Sequence, residues 1–384
     1  MKKFEDYQDE IYTCSRCGLC QSVCPVFELT KKETTVSRGF FSTLMGVLRG
    51  HLSFNKKIRK NIDMCLTCNK CKEFCPSGID AEKIIISAKI ASFAQAPVWK
   101  KLATRALYSR LFLNFAGMVR LYRVFPVLDF TFLGRVLHQF LKPTTSYQKQ
   151  WAKRQSALKV AIFAGCVNNH FNSSSLNALR MILEQNGMLY VRPDFSCCAM
   201  PSFNIGDIEN FKINAQKNID KVPDDVDFLL FDCATCKKAF KIYAEVLEGE
   251  YQEKAQKLFE KCKHINEFLF EQEIFPEVKD KKIVYHKPCH LDCSKEITSL
   301  LCHSGADFEV LPERCCGSAG LFFLENSSIS NELASKRLKE IKCVEVDYLA
   351  TDCPLCRLGL IKGAILKNLQ IKVVNLVEIF TNKP

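Results

Sequence analysis

Apolar positions follow two rhythms along this 384-residue chain, and the change falls near residue 157. In the first part they recur at helical spacing. Residues 40–48 (Phe-Phe-Ser-Thr-Leu-Met-Gly-Val-Leu) and residues 83–93 both predict helices. Beyond 157, short runs rich in Val, Ile, Leu and Phe alternate with helical periods at 176–186 and 333–341. That alternation predicts strand–helix–strand units. The second part is also a duplication: residues 159–166 match 282–289, 189–198 match 308–316, and 227–233 match 347–353. Three blocks recurring in order at nearly constant offset mark two copies of one unit. Each copy is expected to form a small parallel or mixed sheet with its functional loops at the strands' carboxyl ends. The predicted fold class is α+β and α/β. A mainly helical domain covers 1–95, a linker covers 96–155, and two duplicated α/β domains cover 156–275 and 276–384.

Cysteine changes this picture most. Eighteen of the 22 cysteines fall into four ordered groups. Cys14-Cys17-Cys20-Cys24-Pro25 and Cys65-Cys68-Cys71-Cys75-Pro76 share the spacing C-x2-C-x2-C-x3-C-P, the run by which bacterial ferredoxins hold 4Fe–4S clusters. In that arrangement the fourth cysteine reaches the other cluster. Cys14, Cys17, Cys20 and Cys75 then hold one cluster, and Cys65, Cys68, Cys71 and Cys24 the other. Each Pro turns the chain out of its loop, and Gly18 and Gly78 suit loops where N–H groups approach sulfur. The competing reading is a pair of zinc sites, but zinc prefers separated cysteine pairs in closed four-ligand sites.

The duplicated part carries Cys166, Cys197, Cys198, Cys233 and Cys236 in one copy, and Cys289, Cys315, Cys316, Cys353 and Cys356 in the other. Five thiolates on three loops exceed what one cubane or one zinc takes, so a larger or irregular iron–sulfur cluster is one reading. A zinc site with a spare thiol is the other. His286 and His290 flank Cys289 and are candidates for coupling protons to electron transfer. Cys262, Cys293, Cys302 and Cys343 match no group and read as buried thiols.

Charge adds one more feature. The net charge is +12, and residues 96–155 hold eleven Lys or Arg against the single acid Asp129. Both tryptophans, Trp99 and Trp151, lie in this stretch. Lys100, Lys101, Arg105 and Arg110 are spaced to share one helix face, interleaved with bulky apolar residues. That combination predicts an interfacial helix on an anionic membrane surface, or a docking element for an acidic partner. The interleaved Phe, Leu and Trp do not suit a nucleic-acid arm. The N-terminus leads into polar sequence without an apolar stretch, so a reducing cytoplasm is expected, where thiols stay free for metal. No dinucleotide fingerprint or P-loop appears.

The layout resembles the iron–sulfur subunits of glycolate oxidase and anaerobic glycerol-3-phosphate dehydrogenase, which join two ferredoxin motifs to two cysteine-rich CCG repeats. Heterodisulfide reductase subunits share it. The resemblance to the glycolate oxidase subunit is carried by Cys14-Ser-Arg-Cys17-Gly-Leu-Cys20, Ser37-Arg38-Gly39, Cys65-Leu-Thr-Cys68, Cys75-Pro-Ser-Gly78 and Cys315-Cys-Gly-Ser-Ala-Gly320. His286-Lys-Pro-Cys289-His290 is closer to the glycerol-3-phosphate subunit. The resemblance implies two 4Fe–4S clusters, with one or two further clusters, cubane or non-cubane, in the repeats. It also implies an FAD-containing partner that oxidises a 2-hydroxy acid such as glycolate or lactate, and a quinone acceptor at the inner face of the cell membrane. Two departures stand out. Ala199 replaces the family's Gly after Cys197-Cys198, and both repeats keep a complete C-x2-C, which points toward a heterodisulfide-reductase-like activity. The remaining alternative is a metal-bearing adaptor without redox chemistry.

Overall fold

The computed structural model describes residues 2–96, 98–107, 131–141, 158–342 and 345–381. The chain forms two compact units. The first contains Met1–Ala106, Met200–Phe211 and Arg314–Leu333, and the second contains Leu107–Ala199, Lys212–Glu313 and Ala334–Pro384. The N-terminal domain therefore takes in two segments from the duplicated part, which its cysteine motifs do not announce.

The first unit is built of short helices. Both predicted helices are present, as Ser37–Leu48 and Ala81–Ala94. Their apolar faces meet in a core of Phe4, Tyr7, Ile11, Phe40, Phe41, Leu44, Ile62, Ile84 and Ile85. Polar side chains cap helices Lys56–Asp63 and Ala81–Ala94. The Asn55 side chain accepts from the N–H groups of Lys57 and Ile58, both at 3.0 Å, and Asp80 accepts from Lys83 N–H at 3.2 Å. Helix Met200–Ile205 packs closely here: a Cβ added to Gly206 would lie 2.4 Å from the Lys89 carbonyl oxygen.

The second unit holds the duplication. Strands β1 (Lys159–Phe163), β2 (Leu189–Val191), β3 (Phe228–Phe231) and β4 (Cys262–His264) form one sheet in the order β2-β1-β3-β4. Strands β5 (Lys282–Tyr285), β6 (Asp307–Val310), β7 (Tyr348–Ala350) and β8 (Lys372–Val374) form the other, in the order β6-β5-β7-β8. Every pairing in both is parallel. The apolar pattern does not announce the fourth strands, which are three residues long and partly polar. One apolar core serves both copies, joining Ile162, Leu230 and Ile265 to Ile283, Ala350 and Leu376.

The copies repeat their hydrogen bonds as well as their strands. Asp227 accepts from Lys159 N–H at 2.7 Å, and Asp347 from Lys282 N–H at 2.9 Å. The Asp at the end of β3 and of β7 is fully buried. Asp232 takes Asn168 Nδ2 at 2.7 Å and Ser175 Oγ at 2.6 Å; Asp352 takes Tyr285 Oη at 2.6 Å and Asn266 Nδ2 at 2.8 Å. The copies also exchange bonds. Ala234 N–H donates to the Asp352 carbonyl at 2.9 Å, and Asn375 Nδ2 donates to the Asp232 carbonyl at 2.8 Å.

Candidate metal centres

In the first unit the eight motif cysteines line two cavities. Cys24, Cys65, Cys68 and Cys71 line one; Cys14, Cys17, Cys20 and Cys75 line the other, which Cys71 also lines. Cys24 reaches the first cavity because Pro25 opens a helix there, with Cys24 as its N-cap: Phe27 N–H points at Cys24 Sγ, 3.5 Å away. Ser37 Oγ donates to Cys71 Sγ at 3.2 Å, and the Arg38 N–H donates to the Cys20 sulfur. Arg38 and Gly39 lie in the first turn of helix Ser37–Leu48. Gly39 is required there, since a Cβ would stand 1.9 Å from the Glu33 carbonyl oxygen.

The two cavities differ in burial. Cys17 is exposed, and the Leu19 N–H holds its thiol below the ordinary value. Burial raises Cys24 to about 11 and Cys71 to about 12. Thiols pushed up by desolvation are ones that only a bound cation would keep deprotonated.

In the second unit the cysteines gather where β1 and β3 end, the switch point at which doubly wound sheets place ligands. Cys166 opens helix Cys166–His170, Cys233 caps helix Ala234–Val246, and Cys353 caps helix Pro354–Leu366. Helix N-termini favour negative charge, which suits thiolates and an anionic cluster. Cys166 Sγ and Cys197 Sγ are 3.4 Å apart, and Ala199 N–H also donates to Cys197 at 3.4 Å. Those bonds hold Cys197 well below the ordinary thiol value. Cys236 lies against Cys198, and Cys353 is hydrogen-bonded to Cys233 and to Cys356. The Cys-Cys loop is fixed from behind: Asn218 Nδ2 donates to the Cys197 carbonyl at 3.2 Å, and Tyr243 Oη to the Cys198 carbonyl at 2.9 Å. Cys289, Cys353 and Cys356 belong to the second unit, whereas Cys315 and Cys316 lie in a segment of the first.

Both flanking histidines have defined partners. His286 is buried, and the Arg337 guanidinium lies 3.3 Å from its Nδ1. Arg only donates, so Nδ1 accepts and the ring proton sits on Nε2. A ring nitrogen of His286 lies within 4.8 Å of the Cys356 sulfur. His290 Nδ1 is 3.1 Å from Thr235 Oγ1, which is 3.5 Å from Cys353 Sγ. Sequence reasoning missed a second pair of residues, each directly after a C-x2-C. Lys237 Nζ meets Glu267 at 2.7 Å, and Arg357 Nη1 meets Glu378 at 2.6 Å. The signal was present, since each copy places a cation at the same offset.

Of the ungrouped cysteines, Cys262 and Cys293 are buried as expected and Cys302 is exposed, against expectation. Cys302 sits near the end of helix Ser294–Ser304 on its solvent side. Cys343 lies outside the described residues. Much of the basic segment does too, Arg110, Asp129 and Trp151 included. In its described part, Arg105 forms a two-bonded ion pair with Asp207, both contacts at 3.1 Å, and Lys101 Nζ donates to the Ala94 carbonyl at 2.8 Å. No helix among the described residues is long and apolar enough to cross a membrane.

Comparison with known proteins agrees with this geometry. Residues 10–79 match the 4Fe–4S dicluster domain, and residues 160–241 and 283–361 match the CCG cysteine-rich domain. The glycolate oxidase iron–sulfur subunit of Escherichia coli (strain K12) is 25% identical over 362 residues, 88% of this chain and 86% of that protein. One component of the dihydromethanophenazine:CoB–CoM heterodisulfide reductase of Methanosarcina acetivorans is 22% identical over 393 residues, 92% of this chain and 89% of that one. A hypothetical protein from Helicobacter pylori shares the fold, with a TM-score of 0.56 over 92% of this chain and 70% of its own, at 11% identity. The chain thus joins a 4Fe–4S dicluster domain to two CCG cysteine-rich domains, and it is similar over most of its length to oxidoreductase iron–sulfur subunits that include that of glycolate oxidase.

Proposed function

We propose that this chain is the electron-relay subunit of a flavin-dependent 2-hydroxy acid dehydrogenase, passing electrons from an FAD-containing partner toward a quinone. The observation that carries this reading is the pair of cysteine-lined cavities that share Cys71. Two redox centres sharing an edge suit single-electron hopping, and a two-electron flavin product must be split into single electrons. Crossed ligation fits the cavity linings: Cys24 with Cys65, Cys68 and Cys71, and Cys75 with Cys14, Cys17 and Cys20. The substrate class, glycolate or lactate, follows the relatives' names rather than any residue here.

The test is anaerobic co-purification with a candidate FAD-containing 2-hydroxy acid dehydrogenase from the same organism. Flavin reduced by glycolate or lactate is expected to bleach the visible iron–sulfur absorption of this chain. A stable complex whose clusters stay oxidised while its flavin is reduced would sink the proposal. Peripheral attachment to the inner face of the cell membrane through residues 96–155 belongs to the same reading, and anionic-liposome flotation tests it.

A second reading has its own observation. Both repeats keep complete five-cysteine sets, and Cys233 touches Cys353 across them. That supports disulfide reduction at a non-cubane cluster. Oxidation of reduced viologen on adding a heterodisulfide, without any flavin partner, would favour it. A glycerol-3-phosphate partner is the remaining variant of the first reading.

A further inference from the structure

The first unit buries one cation against a cluster loop. Lys89 projects from helix Ala81–Ala94 and is 4% exposed. Its Nζ lies 3.4 Å from the carbonyl oxygen of Cys65 and 3.9 Å from Asp63 Oδ1. Asp63 does not neutralise it alone, because Asp63 Oδ2 is already held by Arg59 Nε at 2.7 Å. Arg59 in turn donates to the Lys89 carbonyl at 3.0 Å and to the Ile205 carbonyl. Two cations and one carboxylate leave a net positive charge on this side of Cys65, opposed from the cavity lining by Glu82.

We infer that Lys89 sets the reduction potential of the cluster held by Cys65, Cys68 and Cys71, keeping that cluster reducible in a buried site. Reduction adds one electron, and so one negative charge, to a cluster in a mainly apolar cavity. Burial disfavours that charge, and a nearby buried cation favours it. Screening is weak at such a site, so the charge acts at close to full strength. The cation acting on Cys17 of the other cluster is of a different kind. Arg38 is about one-third exposed and paired with Glu33 at 2.9 Å. Lys89 contacts the loop's backbone rather than a ligand sulfur, so it acts as a positioning and charge residue.

The inference rests on the two-cubane reading but not on crossed ligation, since Cys65 holds the same cluster under either arrangement. The experiment is a potentiometric titration of the anaerobically purified full chain, followed by electron paramagnetic resonance, which reads the two reduced clusters separately. Lys89→Met is expected to move one midpoint potential downward and leave the other in place, and Lys89→Arg to restore it. Asp63→Asn removes a negative charge at the same place and is expected to move the same midpoint upward. This variant decides the matter if Lys89→Met fails to hold its clusters. Unmoved midpoints in these variants, or equal shifts in both clusters, would overturn the inference. Absence of any cubane signal from the unaltered chain would instead defeat the underlying reading.

Discussion

Two equivalent positions in the repeats show what one atom decides. Ala199 and Gly317 both follow a Cys-Cys pair, and both adopt positive φ, +57° and +80°. Their N–H groups do the same work, each donating to the first cysteine of the pair at 3.4 Å. The conformation costs a non-glycine residue about 1 kcal/mol or more, so Ala199 sits strained but accommodated. At Gly317 a Cβ would lie 2.9 Å from Leu333 Cβ and 3.2 Å from the Ser330 carbonyl oxygen. Gly317→Ala is therefore expected to cost about 3 kcal/mol, adding crowding to the strained backbone. Ala199→Gly is expected to change stability by less than about 1 kcal/mol, because relieved strain offsets the entropy glycine adds to the unfolded chain. Thermal unfolding of the two variants checks both. His264 gives a pH signature. Burial, aided by Lys237, lowers its pKa from 6.5 to about 3. The folded state thus resists protonation, and stability present above pH 6.5 is lost as pH falls toward 3. Between about pH 7 and about pH 5 the loss is about 2 kcal/mol. His264→Asn keeps a side chain able to accept from the Asn266 N–H and is expected to flatten that slope in denaturant titrations.

At the scale of elements, the residues after each C-x2-C predict unequal consequences. The Arg357 side chain is 6% exposed, and it is the cation that meets Glu378. Arg357→Met is expected to cost about 3 kcal/mol, since it leaves the mostly buried Glu378 carboxylate with the Asn375 N–H but no cation. Lys237→Met is expected to cost clearly less, because Lys263 stays 3.4 Å from Glu267. Calorimetry of the two variants ranks them. These pairs also mark the limit of sequence reading. Strands β1, β3, β5 and β7 were legible because each is a run of apolar residues ending close to a cysteine. The fourth strands were not, since a short edge strand carries little hydrophobic signal and is placed by its neighbours. The Asp before Cys233 and Cys353 was visible as a repeated letter. Its role was not, because the partners of Asp352 lie 67 and 86 residues away. Likewise, thiolate spacing announced both cubane sites, while nothing near Lys89 in the sequence said that its ammonium faces Cys65.

For the whole molecule, iron content is the first number to measure. Two cubanes account for about eight irons, and the cysteine-rich repeats are expected to raise the anaerobically purified protein above that figure. An iron content no higher than the two cubanes supply, with zinc, would remove iron from the repeats. The membrane proposal is tested by flotation at low and high salt, and Arg105 and Lys101 already have protein partners that compete with lipid for their charge. The composition of the first unit has a consequence for biogenesis. Its N-terminal motifs leave the ribosome early, yet the unit also needs Met200–Phe211 and Arg314–Leu333. Gly206 packs on the Lys89 carbonyl and Asp207 binds Arg105, so the nascent domain stays incomplete until much of the chain has been made. All the residues that line the two cysteine cavities lie between 14 and 82, so the thiols can gather early in synthesis, whereas the packing that closes the unit around them arrives only with the later segments.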